Sequence, residues 1–181
     1  MSEDRLRFTL QNVFQKNMEQ KYIYSFSQIE DKVKALHETN TEAAAAVALS
    51  WLGLSRDELK TLRVSDYNST MRMLHSAGRV VYVREDLIAD MLKAICEEAP
   101  EYSMGFFITD VNSAYEAAEK QELSPISVLK MRYFYEKHSA KLSGEPEDRV
   151  FLKEILRSVG ESEADMEKQF AEYEKDAPEK I

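Results

Sequence analysis

Apolar positions recur every three to four residues through most of this chain, the spacing of one buried helix face. Leu6, Leu10, Val13, Phe14 and Met18 predict a first helix over 4–22. Ile29, Val33 and Leu36 predict a second. Ser27 opens it with a capping box to Glu30, in which hydroxyl and carboxylate each satisfy a free backbone N–H. Asn40 and Thr41 break it. The stretch Glu42–Leu52 is alanine-rich and apolar on nearly every side, the pattern of a buried central helix. Gly53 supplies the left-handed residue that ends it. Ser55 and Glu58 form a second capping box, ahead of a helix that turns Leu59 and Leu62 inward, with Val64 beyond.

The period then changes. Thr70–Leu74 and Arg79–Val83 flank Ser76-Ala77-Gly78, and the run Val80-Val81-Tyr82-Val83 favours strand, so a β-hairpin is predicted here. Helical spacing returns over Glu85–Ala99, with Leu87, Ile88, Met91, Leu92 and Ile95 inward, until Pro100 stops it. Met104–Thr109 reads as extended or irregular, and Asp110–Glu119 as a short helix. Ser124-Pro125 is a start signal, with serine as cap and proline at the first helical position, for a helix to about Leu142. A turn at Ser143–Pro146, a helix over Glu147–Val159 ended by Gly160, and a last helix opened by Ser162 and Asp165 complete the chain. The fold class is therefore mainly α, a helical bundle with a small β-hairpin. Its units are an N-terminal helix (1–24), one domain (25–173) and a charged tail (174–181).

Composition excludes several classes. The chain has 181 residues, of which 44% are hydrophobic and 31% charged, so it is neither disordered nor fibrous. No apolar run approaches the ~20 residues of a membrane span, and the start lacks a signal-peptide stretch. Cys96 is the only cysteine, so no internal disulfide forms. A cytoplasmic protein without membrane contact is expected.

Charge is uneven. The net charge is −9, which is not the footprint of a general nucleic-acid binder. Residues 161–181 hold eight acids and three lysines, whereas Ser127–Lys141 holds Lys130, Arg132, Lys137 and Lys141 against Glu136 alone. A basic face is thus expected inside an acidic protein.

Motifs for chemistry are sparse. There is no glycine-rich phosphate loop, no CxxC and no HExxH. His37, His75 and His138 follow no metal-ligand spacing, so no metal and no cofactor are expected. Cys96 falls beside Leu92 on the inward side of its helix, as a small core residue does. Tyr133, Phe134 and Tyr135 cannot all face inward on one helix, because neighbours differ by about 100°.

The segment Leu52-Gly53-Leu54-Ser55-Arg56-Asp57-Glu58-Leu59-Lys60-Thr61-Leu62, followed by Asp66, resembles the signature T-G-L-R-x-S-E-L-x-x-L-x-x-x-D of the tyrosine recombinases, or phage integrases. The order downstream is similar too. A hairpin and a helix follow, Leu129-Lys130-Met131-Arg132 stands where the family has H-x-L-R, and Val159-Gly160-Glu161 stands where it has L-G-H. The resemblance covers roughly residues 25–173 and implies the fold of the recombinase catalytic domain.

Departures from the family pattern bear on function. The resemblance places the first catalytic arginine at Ser55, the two histidines at Leu129 and Glu161, and the nucleophilic tyrosine at Phe170. Only Arg132 keeps its type, with Arg72 or Arg79 as the hairpin base. Losing one charge donor costs roughly 10²–10³ in rate, and losing the nucleophile removes the reaction. Tyr173, one turn past Phe170, does not restore the other groups. No enzyme activity is therefore expected. The reading is a non-catalytic DNA-binding regulator, related to phages or mobile elements. It would contact double-stranded DNA through Arg56, Lys60, Arg79, Lys130, Arg132 and Lys137. The family's N-terminal half-clamp has little room here, so binding is expected to be weak, or to need a homodimer or a protein partner. The alternative is a protein-interaction module that keeps the scaffold and has lost DNA binding.

Overall fold

The computed structural model describes residues 22–99 and 105–178. The fold is mainly helical, with one small antiparallel sheet. The helix expected over 4–22 lies outside the described residues except for Tyr22. Tyr22–Tyr24 is not helical: the Tyr22 and Tyr24 rings pack against Tyr173 near the other end of the chain.

A 3-10 turn over Phe26–Gln28 precedes α1 (Glu30–Thr39). Ser27 does not cap α1. It lies inside the 3-10 turn with its hydroxyl 2.7 Å from that of Ser25, and Ile29 takes the cap position with no side-chain bond. The inward stripe holds nonetheless, with Ile29, Val33 and Leu36 buried. Asn40 both ends α1 and opens α2 (Thr41–Trp51), accepting a hydrogen bond from the Ala43 amide at 3.0 Å.

Every residue of α2 from Ala43 to Trp51 is buried. Alanine is small enough for α1, α5 (Val111–Lys120) and α6 (Pro125–Ser143) to close on α2 from several sides. Gly53, at φ +94°, reverses the chain, and the Leu54 amide donates back to the Leu49 carbonyl at 3.1 Å. A β-carbon added at Gly53 would lie well under 3.0 Å from ring carbons of Phe151, so glycine is required for both backbone and packing.

Ser55 caps α3 (Arg56–Thr61) with both bonds of the expected box, each 3.1 Å. The hairpin consists of β2 (Met73–Ser76) and β3 (Arg79–Tyr82), joined through Ala77 and Gly78, which both have positive φ. A two-residue strand, β1 (Tyr67–Asn68), adds to β2, giving the sheet order β1-β2-β3. That third strand is too short to leave a periodic trace in sequence.

The helix α4 (Asp86–Glu98) follows, and Pro100 lies outside the described residues. Phe106 forms an antiparallel bridge with Arg63. Ser124 caps α6, accepting from the Ser127 amide at 3.3 Å. The last two helices are α7 (Arg149–Val159) and α8 (Glu163–Asp176), so the final helix continues into the expected charged tail. Both α7 and α8 pack on α6. This explains the aromatic triplet: α8 covers the far side of α6, so Tyr133 and Phe134 are both buried. Tyr135 is half-buried, its ring centroid 5.2 Å from that of Trp51. No helix among the described residues is long and apolar enough to cross a membrane.

Candidate functional site

The six cations expected to face DNA fall into three groups. Arg56 and Lys60, four residues apart, share the exposed side of α3. Arg56 donates to the Asn112 side chain, and its guanidinium carbon sits 4.9 Å from the Tyr115 ring centroid. Arg79 and Arg132 lie at a cleft between the hairpin and α7. Lys130 and Lys137 lie on another side of α6, because Arg132 is turned about 200° from Lys130 around the helix.

Lys130, Lys137 and Lys141 stand at spacings of seven and four, which makes one stripe along α6. The segment that contains α8 lies over Lys130 and Lys137, whereas Lys141 at the end of the stripe stays largely exposed. Lys130 pairs with Glu161 at 2.8 Å, Lys137 with Glu167 at 2.5 Å and Glu147 at 3.5 Å, and Lys141 with Glu174 at 2.6 Å. The pairs step along both segments in the same direction. Lys137 is 11% exposed, and its ammonium lies 5.6 Å and 5.4 Å from the ring centroids of Tyr133 and Phe170. Burial alone would lower the Lys137 pKa, but the hydrogen bond to Glu167 and the electrostatic pull of Tyr133, Glu167 and Glu147 together outweigh it and hold the ammonium above its ordinary range. Met166, Phe170 and Tyr173 anchor α8 in the core beneath these pairs.

The cleft has a volume of about 340 Å³. Arg79 and Arg132 both line it, each guanidinium carbon within 5.7 Å of the Phe151 ring centroid. Both also reach the end of α2: Arg79 donates to the Gly53 carbonyl at 3.0 Å and Arg132 to the Trp51 carbonyl at 2.8 Å. Cations suit these positions, because the last carbonyls of a helix carry its negative partial charge. Each arginine also holds a carboxylate. Arg132 donates twice to Glu136 Oε1, at 2.9 Å and 2.5 Å. Arg79 Nη2 lies 2.7 Å from Glu58 Oε1.

Glu58 thus does more than cap α3. Its carboxylate accepts from the Ser55 amide, from Arg79 and, at 2.7 Å, from the Ser76 hydroxyl. Burial would raise its pKa, but these donors overcome that and hold it below the usual carboxylate range. The capping box was legible in sequence, but its bond to the hairpin arginine was not.

Phe170 and Tyr173, where the sequence resemblance would place a nucleophile, are buried against Phe134, on the α8 side of α6. The Tyr173 hydroxyl donates to the Ile23 carbonyl at 3.2 Å, and burial pushes its pKa well up. Cys96 is half-buried with its sulfur 3.6 Å from the Val64 carbonyl, and burial raises its thiol pKa. Among the described residues, no cluster of His, Cys, Asp and Glu has the arrangement of a metal site.

The cleft wall also includes Val80, Tyr82, Arg84, Val150 and Phe151, none of which the sequence singled out as a site residue. Tyr82 is 60% exposed and Val150 70%. Arg84 is exposed and forms no ion pair among the described residues. The alternation Arg79-Val80-Val81-Tyr82 carried part of the signal, since one of its two faces had to be left open. Comparison with protein-family models, curated proteins and solved structures finds no match to this chain.

Proposed function

We propose that the chain is a non-catalytic protein-interaction module on an integrase-like scaffold. The observation that carries this reading is the internal occupation of its cations. Of the six residues expected at DNA, Arg79, Lys130, Arg132 and Lys137 each hold a carboxylate of the same chain. Lys130 and Lys137 also lie beneath the segment that carries α8. Duplex binding rests on several cations neutralising phosphates together, each adding about 0.9 to the salt slope. Arg56 and Lys60 alone, on a chain of charge −9, supply too few. The absence of strand transfer belongs to the same reading. Phe170 has no oxygen to attack with, and Tyr173 spends its hydroxyl in the core.

A second reading, the DNA-binding regulator, is favoured by one observation. Residues 56–84 hold six cations against three acids, and Arg84 is exposed. Fluorescence anisotropy with a labelled duplex at about 50 mM salt, where phosphate contacts are strong, separates the two. The interaction reading expects no saturable binding by the full chain. Saturable binding that falls with salt and with Arg84→Glu would put the regulator in its place.

A further inference from the structure

The helix α8 is held to the fold by few side chains. Met166, Phe170 and Tyr173 are buried, and every other residue of its fourteen is exposed or half-buried. Ordering a helix of that length for three anchors places it toward the low end of local stability. Gly160 precedes it in the left-handed conformation, at φ +77°, and a β-carbon there would meet nothing within 4 Å. The backbone therefore has room to turn at this point. From Ser162 to Asp165 the chain is exposed, so the first anchor beyond the glycine is Met166.

The far end of α8 is tied down by the start of the described chain. The Tyr173 hydroxyl donates to the Ile23 carbonyl at 3.2 Å, and the Tyr24 hydroxyl donates back to the Tyr173 carbonyl at 3.4 Å. The Tyr24 and Tyr22 ring centroids lie 4.7 Å and 5.6 Å from that of Tyr173, the second edge-on. Just past the helix, His138 of α6 donates from Nε2 to the Pro178 carbonyl at 2.8 Å. Tyr173 also meets Phe134 and His138 on α6, so one side chain joins the N-terminal stretch, α6 and α8.

We infer that Tyr22–Tyr24 form a strap that sets how often α8 swings off α6 about Gly160, uncovering Lys137 while the rest of the fold stays closed. The inference rests on the interaction reading above, in which Lys130 and Lys137 are occupied from within, and names what keeps them so. Opening separates Lys137 from Glu167 and from the Phe170 ring, and Lys141 from Glu174. Lys130 is released last, because its partner Glu161 stands next to the hinge. Whatever draws Tyr24 away from Tyr173 thereby exposes a cation that the closed fold hides.

The test is native-state hydrogen exchange of the full chain, comparing the amides of α8 with those of the buried α2, with trace acetylation of Lys137 read on the same samples. In the wild type the α8 amides are expected to exchange faster than those of α2, and Lys137 to react slowly. Tyr24→Ala removes a ring contact and a hydrogen bond. It is expected to speed α8 exchange and Lys137 acetylation by about tenfold or more, and the α2 amides by less. Tyr24→Phe keeps the ring and loses the hydroxyl. Its expected effect on α8 is about two- to threefold, and it carries the test if the alanine variant fails to fold. Wild-type α8 amides no faster than those of α2, α8 rates unchanged in the variants, or α2 and α8 speeded by the same factor overturn the strap while the interaction reading stands. Wild-type Lys137 that reacts as fast as the exposed Lys60 overturns both.

Discussion

Lys137 Nζ lies 2.5 Å from Glu167 Oε1 across the contact between α6 and α8, and 3.5 Å from Glu147 in the loop before α7. One half-buried ammonium therefore ties the last two helices to α6. Lys137→Ala would leave two carboxylates facing each other with no cation between them. A loss of about 1–3 kcal/mol is expected, between an exposed pair and a fully buried one, read from urea unfolding. An unchanged midpoint would show that the core residues of α8 hold this contact alone.

Glu58 gives the chain an acid-sensitive joint. Its pKa is held low in the folded state, so its contribution is present above the unfolded glutamate value of about 4.3 and is lost as pH falls through the folded value. Glu58→Gln is expected to lower stability at neutral pH and to flatten the loss below about pH 4.3. Thermal unfolding across that range checks both. A variant with the wild-type acid profile would place the acid-labile groups elsewhere.

Gly53→Ala is expected to cost about 2–4 kcal/mol, since it combines a left-handed backbone with a clash against the Phe151 ring. Adding Phe151→Ala should relieve the clash and leave the backbone strain, so the two changes should not be additive in a double-mutant cycle. Strict additivity would mean that ring and glycine do not meet.

A nicked suicide duplex should trap no covalent adduct with this chain. Tyr173→Phe should change nothing in that assay and cost about 1 kcal/mol of stability, the worth of its hydrogen bond to Ile23. An adduct that disappears in Tyr173→Phe would show that α8 leaves the core to react.

The features legible in the sequence were local ones. Ser55 with Glu58, Ser124 with Pro125, and the glycines at 53 and 160 fix helix ends through nearest-neighbour geometry, and all four stand where expected. Ser27 misled because Gln28 Oε1 accepts from the Tyr24 amide at 2.5 Å and from the Ser25 amide at 3.4 Å, which draws the chain into a 3-10 turn before α1 starts. The cation set was less legible. Charge counting found Lys130, Arg132 and Lys137 on one helix, but helical phase separates Arg132 from the lysines. The lysines at 130, 137 and 141 and the acids at 161, 167 and 174 were in the sequence, but their spacings do not match one another. That the two helices lie side by side is a tertiary fact. Glu58 and Glu136 likewise meet arginines that folding brings to them.

The interaction reading depends most on Lys130 and Lys137 of α6 being covered by the segment that contains α8. Competitive trace acetylation of the native full chain, read by mass spectrometry, measures this lysine by lysine. The account expects Lys137 to react far more slowly than the exposed Lys60, with Lys130 also slowed, and both to approach Lys60 when the chain is unfolded. Native rates for Lys130 and Lys137 equal to that of Lys60 would contradict it, because the stripe would then be open to the phosphates of a duplex.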